Sequence, residues 1–322
     1  MLTADEAKAF EQLFAVLETN VSEAVFDKRH QIRLALTALF ARGHLLLEDA
    51  PGTGKTALAR ALAASVAGTH SRIQFTPDLL PSDITGVTMY NQKTSEWEFH
   101  RGPVFAAIVL ADEINRASPK TQSALLEAMG EGQVTVGNET HPTGEPFMVI
   151  ATQNPIEQAG TYPLPEAQLD RFLVKTSLGY PARAAMIDVL EGSAAPDRST
   201  ALSPVVDGPQ LVSWTAAVAH THVDRAVLDY IAAVAEATRL DESVRLGVST
   251  RAAIGMTQCC RVWAAAHGRN FVLPDDVKEL AGPVWEHRVV MDADAAFSGA
   301  TTAGVITKSL TIVPAPARGL ST

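Results

Sequence analysis

Apolar residues change their spacing at two points along this chain, and those changes divide it. Over residues 5–42 they recur every three to four positions: Leu13, Phe14, Val16 and Leu17, then Ile32, Leu34, Leu36, Leu39 and Phe40. That period predicts helices, and Gly43 suits the stop of the second. From 44 to about 180, short apolar runs alternate with amphipathic stretches. Strands are expected at 44–48, 72–75, 104–111, 147–152 and 172–178, and helices from Lys55 to about Ala67 and over 118–130. Ser118 and Pro119 make a good helix start. The run Val104–Ala111 is continuously apolar, as in a strand buried on both faces of a parallel sheet. Two hairpin-like excursions, near 88–103 and 133–146, interrupt the alternation.

Strand–helix alternation of this kind predicts an α/β fold, a mostly parallel sheet sandwiched by helices. Past 185 the texture changes. Residues 192–209 are rich in Gly, Ser, Pro and Asp and read as a linker. Helical patterns then cover 208–220, 224–239, 249–267 and 274–287. The final stretch, with Pro314, Pro316 and Gly319, is expected to fray. The expected organisation is an α/β domain over 1–185, then a linker and an all-helical domain over 186–322.

The chemistry sits where the first strand ends. Asp49, Ala50, Pro51, Gly52, Thr53, Gly54, Lys55 and Thr56 follow the apolar run Leu45–Leu47, with Ala57 continuing into the helix. Glycines without Cβ let backbone N–H groups turn inward towards an anion. The next helix points its positive end at the same place. Lys55 would reach the β- and γ-phosphates of a nucleotide, and the Thr56 hydroxyl would hold Mg²⁺. The generic phosphate-loop pattern has Gly where this chain has Asp49, so the loop alone is also compatible with an accidental Gly-Lys-Thr. A second segment argues against accident. The apolar strand at 104–111 ends in Asp112 and Glu113. Asp112 would meet Mg²⁺, and Glu113 would polarise the attacking water.

Composition narrows the partners. The chain has 322 residues, 47% hydrophobic and 19% charged, with a net charge of −10. An acidic balance disfavours nucleic acid and anionic membrane, which need clustered cations. The two cysteines, Cys259 and Cys260, are adjacent and expected to be reduced and buried in a helix. The nine histidines show no metal-ligand spacing. No apolar stretch reaches membrane-span length, and the N-terminus lacks a signal-peptide pattern; a cytoplasmic protein is expected.

Taken together, these residues resemble the MoxR group of AAA+ ATPases over about residues 40–290. The loop is similar to that group's Glu-Asp-x-Pro-Gly-x-Gly-Lys-Thr, which accounts for Asp49. Leu110–Ala117 and Thr76–Gly86 are close to two of its distinctive runs. The resemblance implies a P-loop NTPase domain followed by a helical lid, with ATP and Mg²⁺ as ligands. It implies that Asn154, in Ala151-Thr152-Gln153-Asn154-Pro155, is sensor 1. It implies that Arg171, in Leu164–Phe172, is an arginine finger acting on a neighbour's ATP. Arg251, in Gly247–Ala252, would be sensor 2, touching the γ-phosphate in cis. The sequence departs from the family at Phe26, where relatives carry Gly near the adenine.

A finger supplied in trans implies a homo-oligomer, and the family suggests a hexameric ring. Protein clients, among them von Willebrand A domain proteins, are what the resemblance implies for a chaperone-like remodelling ATPase. A slow regulatory ATP switch is the alternative. A nucleic-acid motor is disfavoured, because residues 133–146 hold no Lys or Arg and 88–103 hold one of each against two Glu. Trp97 on the first hairpin is read as a cross-strand packing residue ahead of a client anchor.

Overall fold

The computed structural model describes residues 1–50, 52–154, 160–191 and 198–316. Two helices open the chain, α1 (Ala4–Ser22), held at its start by a Thr3–Glu6 capping box, and α2 (Arg29–Phe40). Then come β1 (Leu45–Glu48), α3 (Lys55–Ser65), β2 (His70–Gln74) and the short α4 (Pro81–Thr85). A first ribbon is formed by β3 (Gly86–Asn91) and β4 (Glu96–Arg101). It is followed by β5 (Ile108–Asp112), α5 (Pro119–Glu131), a second ribbon of β6 (Gln133–Val136) and β7 (Glu139–Pro142), and β8 (Met148–Gln153). After α6 (Glu166–Leu169), β9 (Val174–Thr176) completes the sheet and α7 (Arg183–Glu191) leaves it. The rest is helical: α8 (Gly208–Val218), α9 (Arg225–Leu240), α10 (Thr250–Ala265), α11 (Pro274–Trp285), α12 (Ala293–Phe297) and α13 (Thr302–Ile312). The exception there is the antiparallel pair β10 (Val244–Leu246) and β11 (Val290–Met291).

The main sheet has the order β2-β5-β8-β1-β9, with every pairing parallel. Its central strands bury both faces. Leu45, Leu47, Ile108, Leu110, Met148 and Ile150 enter one apolar cluster, and Leu46, Val109, Ala111, Val149 and Ala151 enter the other. The two-residue strand period distributes a continuous apolar run in this way. The first cluster also takes in α1, α2, α10 and α11, so the C-terminal helices share a core with the N-terminal ones. Arg33 bridges them, its guanidinium over the rings of both Phe14 and Trp263 at 5.2 and 5.0 Å, with Nη1 2.9 Å from the buried Glu18.

Four differences from the expected elements have local causes. Pro103–Phe105 forms a 3₁₀ turn, so the strand expected from 104 begins at Ile108. Pro103 sets the φ of that turn and cannot join a ladder. The strand expected over 172–178 shortens to Val174–Thr176, because Ser177, Leu178 and Gly179 turn to bind Asp49. The expected frayed stretch begins instead as α13, capped by Thr301 and burying Val305, Ile306 and Ser309. Helix α7 was not expected; Met186, Ile187, Val189 and Leu190 on it are all exposed.

The two ribbons meet through their side chains. Phe99 of β4 stacks on His141 of β7, with ring centroids 4.0 Å apart and planes 14° apart. Trp97 lies opposite Tyr90 in the β3–β4 register and packs edge-on against it at 5.4 Å, yet remains 71% exposed.

Candidate functional site

The strand order places the carboxyl ends of β5, β8 and β1 side by side, where open α/β sheets bind ligands. Each carries one part of the expected site. After β1, Gly52 and Gly54 adopt left-handed backbone with φ of 81° and 95°, and a Cβ built on either meets no atom within 4 Å. The space before the loop is therefore open. Gly54, at the start of α3, brings no side chain to the first N–H groups of that helix. Lys55 is buried, its Nζ donating to the carbonyls of Asp49 and Ala50 at 3.2 and 3.3 Å. Thr56 and Ala57 are half-buried on the first turn, and Thr53 donates to the Ala50 carbonyl. Pro51 lies outside the described residues.

The Asp49 side chain has a structural role that the sequence reading did not give it. Expected among the nucleotide contacts, it engages its carboxylate with three donors at the end of β9. Oδ2 accepts from Leu178 N at 2.6 Å, and Oδ1 from Gly179 N at 2.8 Å and Ser177 Oγ at 3.0 Å. The carboxylate thus ties the phosphate loop to the end of β9, which a glycine could not do. Asp49→Ala is expected to lower unfolding stability by about 2–4 kcal/mol, the cost of stranding buried donors that bind a charged acceptor. Urea unfolding of the variant measures this, and an unchanged midpoint would contradict the anchoring role.

The two acids at the end of β5 are fixed by a residue the sequence reading did not single out. Thr152, wholly buried on β8, donates its hydroxyl to Asp112 Oδ1 at 2.7 Å and accepts from Glu113 N at 2.8 Å. One hydroxyl thus sets both acids. Glu113 sits in left-handed backbone, with φ 56° and ψ 50°. For a non-glycine residue that conformation costs of order 1 kcal/mol and tends to occur at functional positions. On the other side, β2 presents Arg72 and Gln74, two positions apart and so on one face. Arg72 Nη2 lies 2.6 Å from Asp112 Oδ2, and Gln74 Nε2 donates to Glu113 Oε2 at 3.0 Å. Arg116 Nη1 reaches the same Glu113 oxygen at 3.0 Å. The alternation Arg72-Ile73-Gln74 was the available signal, polar positions flanking an apolar one on a strand beside the acids.

Asn154 is buried immediately after β8, whose Gln153 carbonyl accepts from Asp49 N at 3.0 Å. It therefore stands between the phosphate loop and the acids; Pro155 lies outside the described residues.

The two arginines are elsewhere. Arg171, Arg251, Arg42 and Arg288, with Asp170, line a cleft of about 460 Å³ that also includes Gly43 and His44. Those last two residues precede β1, whereas the phosphate loop follows it, and the intervening extended chain spans about 16 Å. Arg171 is seated against α5. Its Nη1 donates to the Leu126 carbonyl at 2.8 Å, and a Cβ on Gly130 would collide with its guanidinium. The expected contact of Arg251 with the nucleotide of its own chain is thus not the arrangement found, because α10 starts at the opposite end of the sheet. Two buried, neutral histidines brace this end. Burial lowers the pKa of His44 to about 4 and, with Arg288 adding, that of His287 to about 3. His44 bridges the Met129 carbonyl and Val149 N, and His287 bonds the Phe172 carbonyl. At the core of α10, burial likewise raises the Cys259 thiol to about 12, so it is not a nucleophile.

A glycine-bearing loop before a helix start suits an anion, and carboxylate oxygens suit a hard cation. Among the described residues no cluster of three or more His, Cys, Asp or Glu stands ready for a metal. A Mg²⁺ held by one carboxylate, one hydroxyl and substrate phosphates needs none. Among the described residues, no helix is long and apolar enough to cross a membrane.

Comparison with known proteins agrees with this geometry. Residues 44–174 match the ATPase family associated with various cellular activities, and residues 236–309 match the AAA lid domain. The chain is 46% identical to YeaC of Bacillus subtilis over 92% of its length and 93% of that protein. It is 40% identical to the chaperone MoxR1 of Mycobacterium tuberculosis, over 92% of this chain and 80% of the relative. A crystal structure of a proposed ATPase from Cytophaga hutchinsonii superposes with a TM-score of 0.89 at 34% identity, covering 97% of this chain and 98% of that one. An α/β nucleotide-binding core with an AAA lid and relatives this similar over nearly the whole chain place it in the MoxR family of chaperone-like AAA+ ATPases.

Proposed function

We propose that this chain hydrolyses ATP to ADP and phosphate within a ring of its own copies, six by family likeness, and uses the cycle to remodel or assemble protein complexes. The observation that carries the reading is the separation of the site into two halves. The phosphate loop and the acids occupy the carboxyl ends of the strands, and Arg171 and Arg251 occupy the opposite end. Neither half is complete within one chain, and two copies in head-to-tail contact bring them together.

Within the first half, backbone N–H groups of 52–55 and the Lys55 ammonium receive the phosphates. Thr56 and Asp112 would hold Mg²⁺, which neutralises phosphate charge when bound. Glu113, fixed through its backbone by Thr152, takes a proton from the attacking water on a carboxylate oxygen. Asn154 orients that water. Arg171 and Arg251 of the neighbouring copy stabilise charge that develops on the transferred group.

A second reading, a slow regulatory switch, is favoured by one observation. Both acids are covered by donors from β2, Arg72 on Asp112 and Gln74 on Glu113, and these must give way before either acid works. A nucleic-acid motor finds no support, since the ribbons lack a surplus of cations. Protein clients, von Willebrand A domain proteins among them, remain the partners proposed on family likeness.

Lys55→Ala tests the nucleotide assignment. Loss of a charge-assisted contact to phosphate is expected to weaken ATP binding by roughly 10–100-fold, read by titration of a fluorescent ATP analogue. Binding of wild-type strength would remove the loop from the site.

A further inference from the structure

Of the four arginines lining the cleft, Arg42 and Arg288 have no part in the proposed ATPase cycle. Arg288 ends the short turn Glu286–Arg288 after α11, and its side chain is only 3% exposed. Nη2 donates to the carbonyls of Asp170 and Phe172, at 3.2 and 2.8 Å, one on each side of Arg171. Nε lies 3.3 Å from Asp170 Oδ1, and Ser249 Oγ lies 3.5 Å from the same oxygen. Nε and Nη1 are both buried and, among the described residues, make no hydrogen bond, so Nε meets Asp170 as an ion pair alone, and Nη1 lies beside Gly255 of α10.

Among the described residues, Asp170 is the one carboxylate lining this cleft. Released, it would pair with Arg171 or Arg251, and a carboxylate within ion-pair distance would neutralise a cation meant for a phosphate. Arg288 withholds it. By gripping both carbonyls that flank Arg171, it also fixes the backbone from which that side chain projects, and it does so from the turn after α11, the helix packed on Arg251's α10. We propose that Arg288 is a positioning residue for the neighbour-facing cleft: it immobilises the Asp170–Phe172 turn against the lid and keeps the Asp170 carboxylate off Arg171 and Arg251. The inference rests on the neighbour-supplied arginines of the preceding section.

Mixed-subunit ATPase assays on the full chain separate the two ideas. A mixture of Glu113→Gln and Arg171→Ala regains turnover if the arginines act across the interface, and its failure counts against that reading. Arg288→Met alone is expected to lose turnover at least tenfold while its own loop binds ATP within twofold of wild type. Mixed with Glu113→Gln it should regain activity, because the partner supplies an intact cleft. Mixed with Arg171→Ala it should regain none, because both proteins lack the same half. Recovery in that last mixture, or full activity of Arg288→Met alone, overturns the proposal. Adding Asp170→Asn to Arg288→Met should restore part of the turnover, which a purely structural role would not. Should Arg288→Met unfold, Arg288→Lys, which keeps the charge and loses the double carbonyl grip, is read through the same mixtures with the same criteria.

Discussion

Glu113→Gln should leave the protein folded and loaded with ATP while turnover falls by about 10²–10⁴-fold, the range for loss of a positioned general base. Glutamine has the shape of glutamate, and its amide oxygen can still accept from Gln74 and Arg116, which now bond Glu113 Oε2. The Thr152 bond is to the backbone N–H and survives any side chain. Stability and nucleotide affinity are therefore expected to stay near wild type, with only proton acceptance removed. Single-turnover hydrolysis, set beside a binding titration, separates the two quantities. Turnover within threefold of wild type would show that another group takes the proton, and the assignment of the base would fall.

The second large effect belongs to Arg171. Arginine fingers are worth roughly 10³–10⁵ in rate, so Arg171→Ala alone should be nearly silent. The loss should not come from unfolding. Among the described residues the guanidinium gives one hydrogen bond, to the Leu126 carbonyl, an acceptor inside α5 that already lies in a helical ladder. What distinguishes a finger from a structural arginine is recovery in a mixture. With Glu113→Gln present in equal amount and subunits arranged at random, about a quarter of interfaces pair an intact base with an intact finger. Turnover should rise towards that fraction as subunits exchange. A mixture as inactive as its components would place Arg171 outside the reaction.

Much of the fold was legible because parallel strands buried on both faces leave unbroken apolar runs, and β1, β5 and β8 each coincide with one. The misplaced start at Val104 arose because apolar composition does not distinguish a 3₁₀ turn from a strand, and Pro103 was the marker to weigh. Helix α13 was hidden by the prolines beyond it, although Val305, Ile306 and Ser309 form a helical stripe. The candidate residues that are consecutive in the chain, Gly52 to Thr56 and Asp112 with Glu113, are visible as local motifs. Thr152, Arg72, Gln74 and Arg288 act across strands or between the core and the C-terminal helices, and no local spacing announces them. Arg251 shows the limit most clearly. An arginine at a helix start, against the helix dipole, signals an anionic partner, but which end of the sheet it faces is decided by how α10 packs on the turn around Phe172.

The stacked Phe99 and His141 rings couple two ribbons that are far apart in the chain. The second ribbon continues directly from α5 through Gly132, and α5 carries the carbonyl on which Arg171 rests. The first ribbon, with Trp97 exposed on it, thus has a packed path through the second ribbon and α5 to the seat of the Arg171 guanidinium.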